Sequence, residues 1–310
     1  MEAIATEGLT KYYGKILALD NLNLKIESGH SVGFLGPNGA GKSTTIKILC
    51  NLIRPTRGKA YISNHNAIEQ STEAIKNVGA LVETPEFYSY LTPIEVLSYL
   101  GKLRSIPEDE LKQRVTKVLE VVKLAEWDKT RIAKFSRGMK QRLGIAQAIL
   151  HDPSILILDE PALGLDPRGM YEIREIIRAM VKEGKTVFLA SHLLHEVEET
   201  CDSVALVDKG KLLAYDRIEN LERVFKARKI QVELLTPLDS KLVEKIKELK
   251  NVNAVLAEEK NLTIGFDGTD AEQAELLTAL VRDIGVQMVS FRPSMKALEE
   301  VYLQLVKEGN

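Results

Sequence analysis

The chain predicts an α/β domain on a mostly parallel sheet, followed by a smaller α+β domain of ferredoxin-like order. Three observations carry this. A short apolar strand, Ser31–Leu35, runs straight into a glycine-rich loop and then a helix. Ile155–Leu158 is apolar at every position, as a strand buried on both faces of a parallel sheet requires. From residue 229 onward the pattern reads strand, helix, strand, strand, helix, strand.

The elements follow in order. Ala3–Thr10 alternates weakly as a strand, and Lys11–Lys15 reads as a turn-like break. Leu22, Leu24 and Ile26 alternate with Asn23 and Lys25, a half-buried strand. After the loop, Ser43–Leu52 forms a helix that Pro55 and Gly58 end. Residues 70–150 read as mostly helical. Leu111–Leu124 has apolar positions at helical spacing, and His151-Asp152-Pro153 stops a helix over Ser136–Leu150. Beyond Ile155–Leu158 come a helix at Met170–Lys182, a strand at Thr186–Ala190, a helix at Leu193–Thr200, and strands at Ser203–Val207 and Leu212–Tyr215. Such strand–helix alternation argues a parallel sheet interrupted by a helical insert. In the tail, strands at 229–235, 253–257, 261–266 and 286–292 and helices at 238–250, 270–283 and 294–307 are expected. The boundaries are therefore set at 1–218, with the helical insert at about 84–152, a linker at 219–228 and an accessory domain at 229–310. The charged linker reads as a helical connector with a solvated face, with a membrane-surface patch as the alternative.

Composition bounds the function. At 310 residues the chain suits two domains. Hydrophobic residues at 45% and charged residues at 28% exclude a disordered or collagen-like chain. Lys and Arg number 42 against 44 Asp and Glu, so no basic field favours nucleic acid. Cys50 and Cys201 make no disulfide framework and fit a reduced interior. The acidic start MEAIATEGLT does not read as a signal peptide. No stretch approaches the roughly 18 apolar residues of a membrane helix, so any spanning is expected of another chain.

Two motifs carry chemistry. Gly36, Pro37, Asn38, Gly39, Ala40, Gly41, Lys42 and Ser43, with Thr44 beside them, fit the phosphate loop G-x-x-x-x-G-K-[ST]. Its glycines let backbone N–H groups curl around phosphate oxygens at a helix N-terminus. Lys42 would reach the β- and γ-phosphates and Ser43 would ligate Mg²⁺. Asp159 and Glu160 end the apolar strand. Asp159 suits the same Mg²⁺, and Glu160 an attacking water.

Phe135-Ser136-Arg137-Gly138-Met139 lies between these motifs, and Ala190-Ser191-His192 follows them. Together they resemble the nucleotide-binding subunit of ATP-binding-cassette (ABC) transporters over residues 3–216, with the signature standing as Phe135–Met139. The resemblance implies a P-loop NTPase cassette with a helical subdomain. It implies that Tyr13 stacks on adenine, with Tyr12 as second choice. Ser136 and Gly138 bind the γ-phosphate held by an opposing copy, Asp166 lies in the loop that crosses the dimer interface, and His192 contacts the γ-phosphate. Glu83 stands where the family usually has Gln. As a third metal ligand and catalytic-site residue it adds charge near Glu160, and a raised pKa is expected for it. Arg137 and Met139 replace the usual Gly and Gln. Glu83, the segment Phe87–Thr92 and the tail Val289–Tyr302 are similar to the bacitracin- and daunorubicin-type exporter branch.

The function so implied is an ATP-hydrolysing, Mg²⁺-dependent subunit of an exporter. It would work as a head-to-tail homodimer on a separate transmembrane permease, at the cytoplasmic face of the cell membrane and without nucleic acid. Phe87, Tyr88, Tyr90 and Leu91 are expected to form a surface groove for a permease helix, with burial in the core as the alternative. A non-transport ABC-type ATPase, DNA- or ribosome-associated, is the alternative function; a long coiled-coil insertion or a second cassette would signal it. For the accessory domain the readings are a packing module or a regulator.

Overall fold

The computed structural model describes residues 2–224, 228–293 and Tyr302. The chain divides into two compact units, Met1–Arg217 and Ile218–Asn310.

The first unit opens with an antiparallel sheet. β1 (Glu2–Tyr13) and β2 (Ile16–Glu27) form a long hairpin. β1 also pairs with β4 (Arg57–Ile62), and β4 with the short β5 (His65–Asn66). Between them β3 (Ser31–Leu35) enters a second sheet and leads into α1 (Lys42–Leu49). After α2 (Ser71–Ile75) and β6 (Val78–Leu81), the chain leaves the sheets for α3 (Pro93–Leu103), α4 (Glu108–Val121) and α5 (Arg137–Ile149). It returns through β7 (Ile155–Asp159), α6 (Pro167–Lys182), β8 (Thr186–Ser191), α7 (Leu194–Thr200), β9 (Ser203–Asp208) and β10 (Lys211–Arg217).

The second sheet runs β10-β9-β3-β8-β7-β6, parallel except for β10. β3, β7 and β8 are buried along their whole length, which is why they read as unbroken apolar runs. Ile46, Ile48, Phe34, Ile157 and Phe188 join Ile4, Leu24 and Ile62 of the antiparallel sheet in one core. The helical insert keys its own corner: Thr92 caps α3 in a reciprocal box with Glu95, and Pro93 starts the helix.

The unit departs from expectation at three places. β1 continues through Lys11–Tyr13, because Tyr12 pairs with Leu17 and Tyr13 with Ile16; only Gly14-Lys15 turns, with Gly14 at φ 59°. β4 and β5 went unread, although Ala60 and Ile62 alternate with Lys59 and Tyr61. β6 falls in the stretch read as helical, since four apolar residues carry no period.

The second unit begins with α8 (Ile218–Val224), a helix in the stretch expected as a helical connector. β11 (Arg228–Leu234), α9 (Ser240–Lys247), β12 (Val252–Glu258), β13 (Asn261–Phe266), α10 (Asp270–Arg282) and β14 (Met288–Pro293) follow. The sheet is antiparallel in the order β12-β13-β11-β14, the ferredoxin-like arrangement. Ile230, Val232, Leu262, Ile264 and Phe266 alternate inward to meet Ile246, Leu276 and Leu280 of its helices. The expected helix 294–307 lies outside the described residues, Tyr302 excepted.

Candidate functional site

The register of three strands assembles the site. Leu35 of β3 pairs with Ser191 of β8, and Ala190 of β8 with Asp159 of β7. The residues just after each strand therefore emerge side by side at the carboxyl edge of the sheet, where α/β folds hold ligands. Those residues are the phosphate loop, Glu160 and His192.

The loop is closely packed. Gly41 sits at φ 100°, and a Cβ there would lie 2.5 Å from Leu19 Cδ2, so only glycine fits. As N-cap of α1 it offers no side-chain oxygen to the first-turn N–H groups. Lys42 is buried, and its Nζ donates to the carbonyls of Gly36 (2.7 Å) and Pro37 (3.1 Å). The same ammonium lies 3.4 Å from Glu160 Oε1. Ser43 Oγ donates to Asp159 Oδ1 at 3.1 Å, joining α1 to β7. Asp159 is buried, and burial raises its pKa. A hydroxyl and a desolvated carboxylate, both hard oxygen donors, fit Mg²⁺. A divalent ion would relieve the cost of burying Asp159 as a charge.

Glu160 bridges the cluster. Its backbone is left-handed at φ 48°, an uncommon conformation for a non-glycine residue. The bond from its N–H to Ala190 O at 2.9 Å holds it there. Besides Lys42, its carboxylate meets His192 Nδ1 at 2.8 Å and accepts the His192 N–H at 3.4 Å.

Glu83 behaves differently from expectation. It is mostly exposed, and its carboxylate takes a hydrogen bond from Lys47 on α1 rather than touching Ser43 or Asp159. That bond lowers its pKa instead of raising it, and raises that of Lys47. The adjacent Lys47 cation, not the charge of Glu160, sets the direction of the shift.

Tyr13 ends β1 at 45% exposure, with Lys11 Nζ 5.1 Å from its ring centre; Tyr12 is equally open. Ser136 and Gly138 lie elsewhere. Ser136 caps α5 by accepting the Met139 N–H at 3.2 Å, and a Cβ on Gly138 would meet nothing closer than 3.9 Å. Asp166 caps α6 through the Gly169 N–H at 3.0 Å. Arg137 lays its guanidinium over Gly164, where a Cβ would sit 2.5 Å from Nη1. Signature and Asp166 loop thus adjoin each other. No hydrogen bond joins Ser136 or Gly138 to the phosphate loop, Asp159, Glu160 or His192.

Of the expected surface cluster, Tyr88 (69% exposed) and Tyr90 (65%) are open, with ring centres 5.6 Å apart. Phe87 and Leu91 are half-buried, and the Leu91 carbonyl accepts the Ile132 N–H at 2.8 Å. Sequence reasoning missed Glu196. Its carboxylate is buried, accepts the Ser191 hydroxyl at 2.8 Å, and has its pKa raised by burial. Its only signal was a position four residues after His192. Among the described residues no helix is long and apolar enough to cross a membrane.

Known proteins match this arrangement. The ABC transporter family matches residues 19–163. The bacitracin transport ATP-binding protein BcrA of Bacillus licheniformis is 44% identical over 221 residues, 71% of each chain. The uncharacterized ABC transporter ATP-binding protein YcbN of Bacillus subtilis (strain 168) is 37% identical over 313 residues, spanning 99% of this chain and 97% of its own. A solved structure of an ATP binding subunit of an ABC transporter superposes with a TM-score of 0.65 at 30% identity, over 72% of this chain and 93% of that one. With phosphate loop, strand-end acids and histidine on one sheet edge, and with these likenesses, the chain belongs to the ABC transporter family as an ATP-binding subunit of its bacitracin-type branch.

Proposed function

We propose that the chain hydrolyses ATP as the motor of an exporter, two copies closing head-to-tail on two nucleotides and driving a separate membrane subunit at the cytoplasmic face. The observation that carries this is the convergence of Lys42, Ser43, Asp159, Glu160 and His192 at the ends of β3, β7 and β8.

In this reading the N–H groups of Asn38–Thr44 and the Lys42 ammonium take the phosphates, and Tyr13 stacks on the base. Ser43 and Asp159 would hold Mg²⁺, which supplies charge to the phosphate oxygens when bound. Glu83 joins them only by leaving Lys47. Glu160 accepts the proton of the attacking water as its oxygen bonds the γ-phosphorus and the bond to the β-phosphate oxygen breaks. The 2.8 Å contact of Nδ1 with Glu160 fixes the ring of His192 beside the position proposed for the γ-phosphate. Ser136 and Asp166 cap the starts of α5 and α6, with Gly138 in the first turn of α5, and their hydrogen bonds go to their own helices, which leaves them to act on the nucleotide of a second copy. Sedimentation of the full chain tests the assembly: ATP should shift it to the mass of two copies and ADP should return it to one. A single copy at saturating ATP would end the reading.

Tyr88 and Tyr90 form the docking surface for the permease, because two large aromatic rings stand in solvent on the insert. Tyr88→Ala with Tyr90→Ala should lower recovery with permease-containing membranes by about tenfold while ATP affinity stays within about twofold. Undiminished membrane association would refute the docking role. The cargo follows the relatives: a bacitracin-like peptide antibiotic, moved outward.

A further inference from the structure

We propose that Glu196 is a positioning residue for hydrolysis: through Ser191 it fixes the turn that holds His192 against Glu160. The inference rests on the hydrolytic reading above and adds to it a residue outside the catalytic cluster.

Two backbone bonds hold the turn, Glu196 N–H to Leu193 O at 3.2 Å and Gly36 N–H to Ser191 O at 3.4 Å, and side chains supply the rest. β8 ends at Ser191, and α7 starts after Leu193, whose side chain cannot cap a helix. Ser191 does the capping from two residues back, its Oγ accepting the Leu193 N–H at 3.0 Å. A serine hydroxyl has one hydrogen to give. Two acceptors compete for it: Glu196 Oε2 at 2.8 Å and Leu193 O at 3.5 Å. Glu196 wins on distance, which leaves the Ser191 lone pairs for Leu193. His192 sits between these two pinned residues, and its own N–H and Nδ1 both meet Glu160 Oε2.

Glu196 acts from a fixed platform. The next residue, Val197, fills the space above Gly33 of β3, where a Cβ would lie 2.1 Å from Val197 Cγ1. Nor is Glu196 spent on an ion pair. The residue is 6% exposed, and Oε1 has no hydrogen-bond partner among the described residues. Glu160, His192 and Arg174 are the charged groups facing it. Burial favours the neutral acid, which still offers an acceptor oxygen to Ser191. Glutamine should therefore replace it, and alanine should not.

The test uses the full chain, with steady-state ATP hydrolysis and the His192 ring proton resonance of the nucleotide-free protein as separate readouts. E196Q should keep kcat within about threefold and leave the His192 resonance in place. E196A and S191A should each lower kcat about tenfold or more, leave KM for ATP within about twofold, and shift the His192 resonance. The double variant should be no slower than the worse single one, because both changes break one chain of contacts. Native kcat in E196A or S191A, E196Q as slow as E196A, or additive losses would overturn the proposal. If E196A does not fold, S191A and E196Q decide on the same criteria. If the native chain hydrolyses no ATP, the hydrolytic reading fails, and a His192 resonance unmoved in S191A overturns the positioning role separately.

Discussion

Glu160→Gln is expected to lower ATP turnover by about 10²–10⁴-fold while ATP binding persists. The amide is the same size as the carboxylate, and its oxygen can still accept from His192, so the geometry around β7 survives. It cannot take a proton from water at neutral pH. Binding should hold or tighten, because the anion 3.4 Å from Lys42 no longer competes with phosphate for its charge. Sedimentation with ATP should then show the two-copy form accumulating. Turnover above about a tenth of the native rate would mean that another group takes the proton.

Gly33→Ala is expected to destabilise the cassette by about 1–3 kcal/mol. β3 lies beneath α7, and the new methyl would stand 2.1 Å from Val197 Cγ1, deep in contact with a buried side chain. Either the valine leaves its rotamer or α7 lifts from the sheet, taking His192 with it. Thermal melting should fall by several degrees and hydrolysis should weaken as well. Val197→Ala added to Gly33→Ala should recover much of the loss, since it frees the space the methyl needs. An unchanged melting temperature for Gly33→Ala alone would show that the sheet and α7 yield to each other freely.

The two motifs and the signature were legible because each is local. Gly36–Ser43 spans eight residues, and both its glycines and its flanking strand and helix are visible in one window. Ile155–Glu160 declares itself by an unbroken apolar run ending in acids. The alternation of Ile230 and Val232 with Gln231, and of Leu262 and Ile264 with Thr263, exposed strands of the ferredoxin-like sheet in the same way. β6 was not legible, because Val78–Leu81 has no period of its own and becomes a strand by pairing with β7.

Amino-acid order alone determined which groups suit phosphate chemistry, the α/β class of the cassette and its place among ABC ATP-binding chains. These follow from backbone freedom, side-chain chemistry and polarity within a few neighbouring positions. Tertiary structure alone decided that β8 lies between β3 and β7, so that Lys42, Glu160 and His192 meet. It also decided that Glu83 bonds Lys47, 36 positions away, and that a buried Glu196 holds Ser191. Strand order, burial and the partner of a charge depend on segments distant in the chain, and no local window records them.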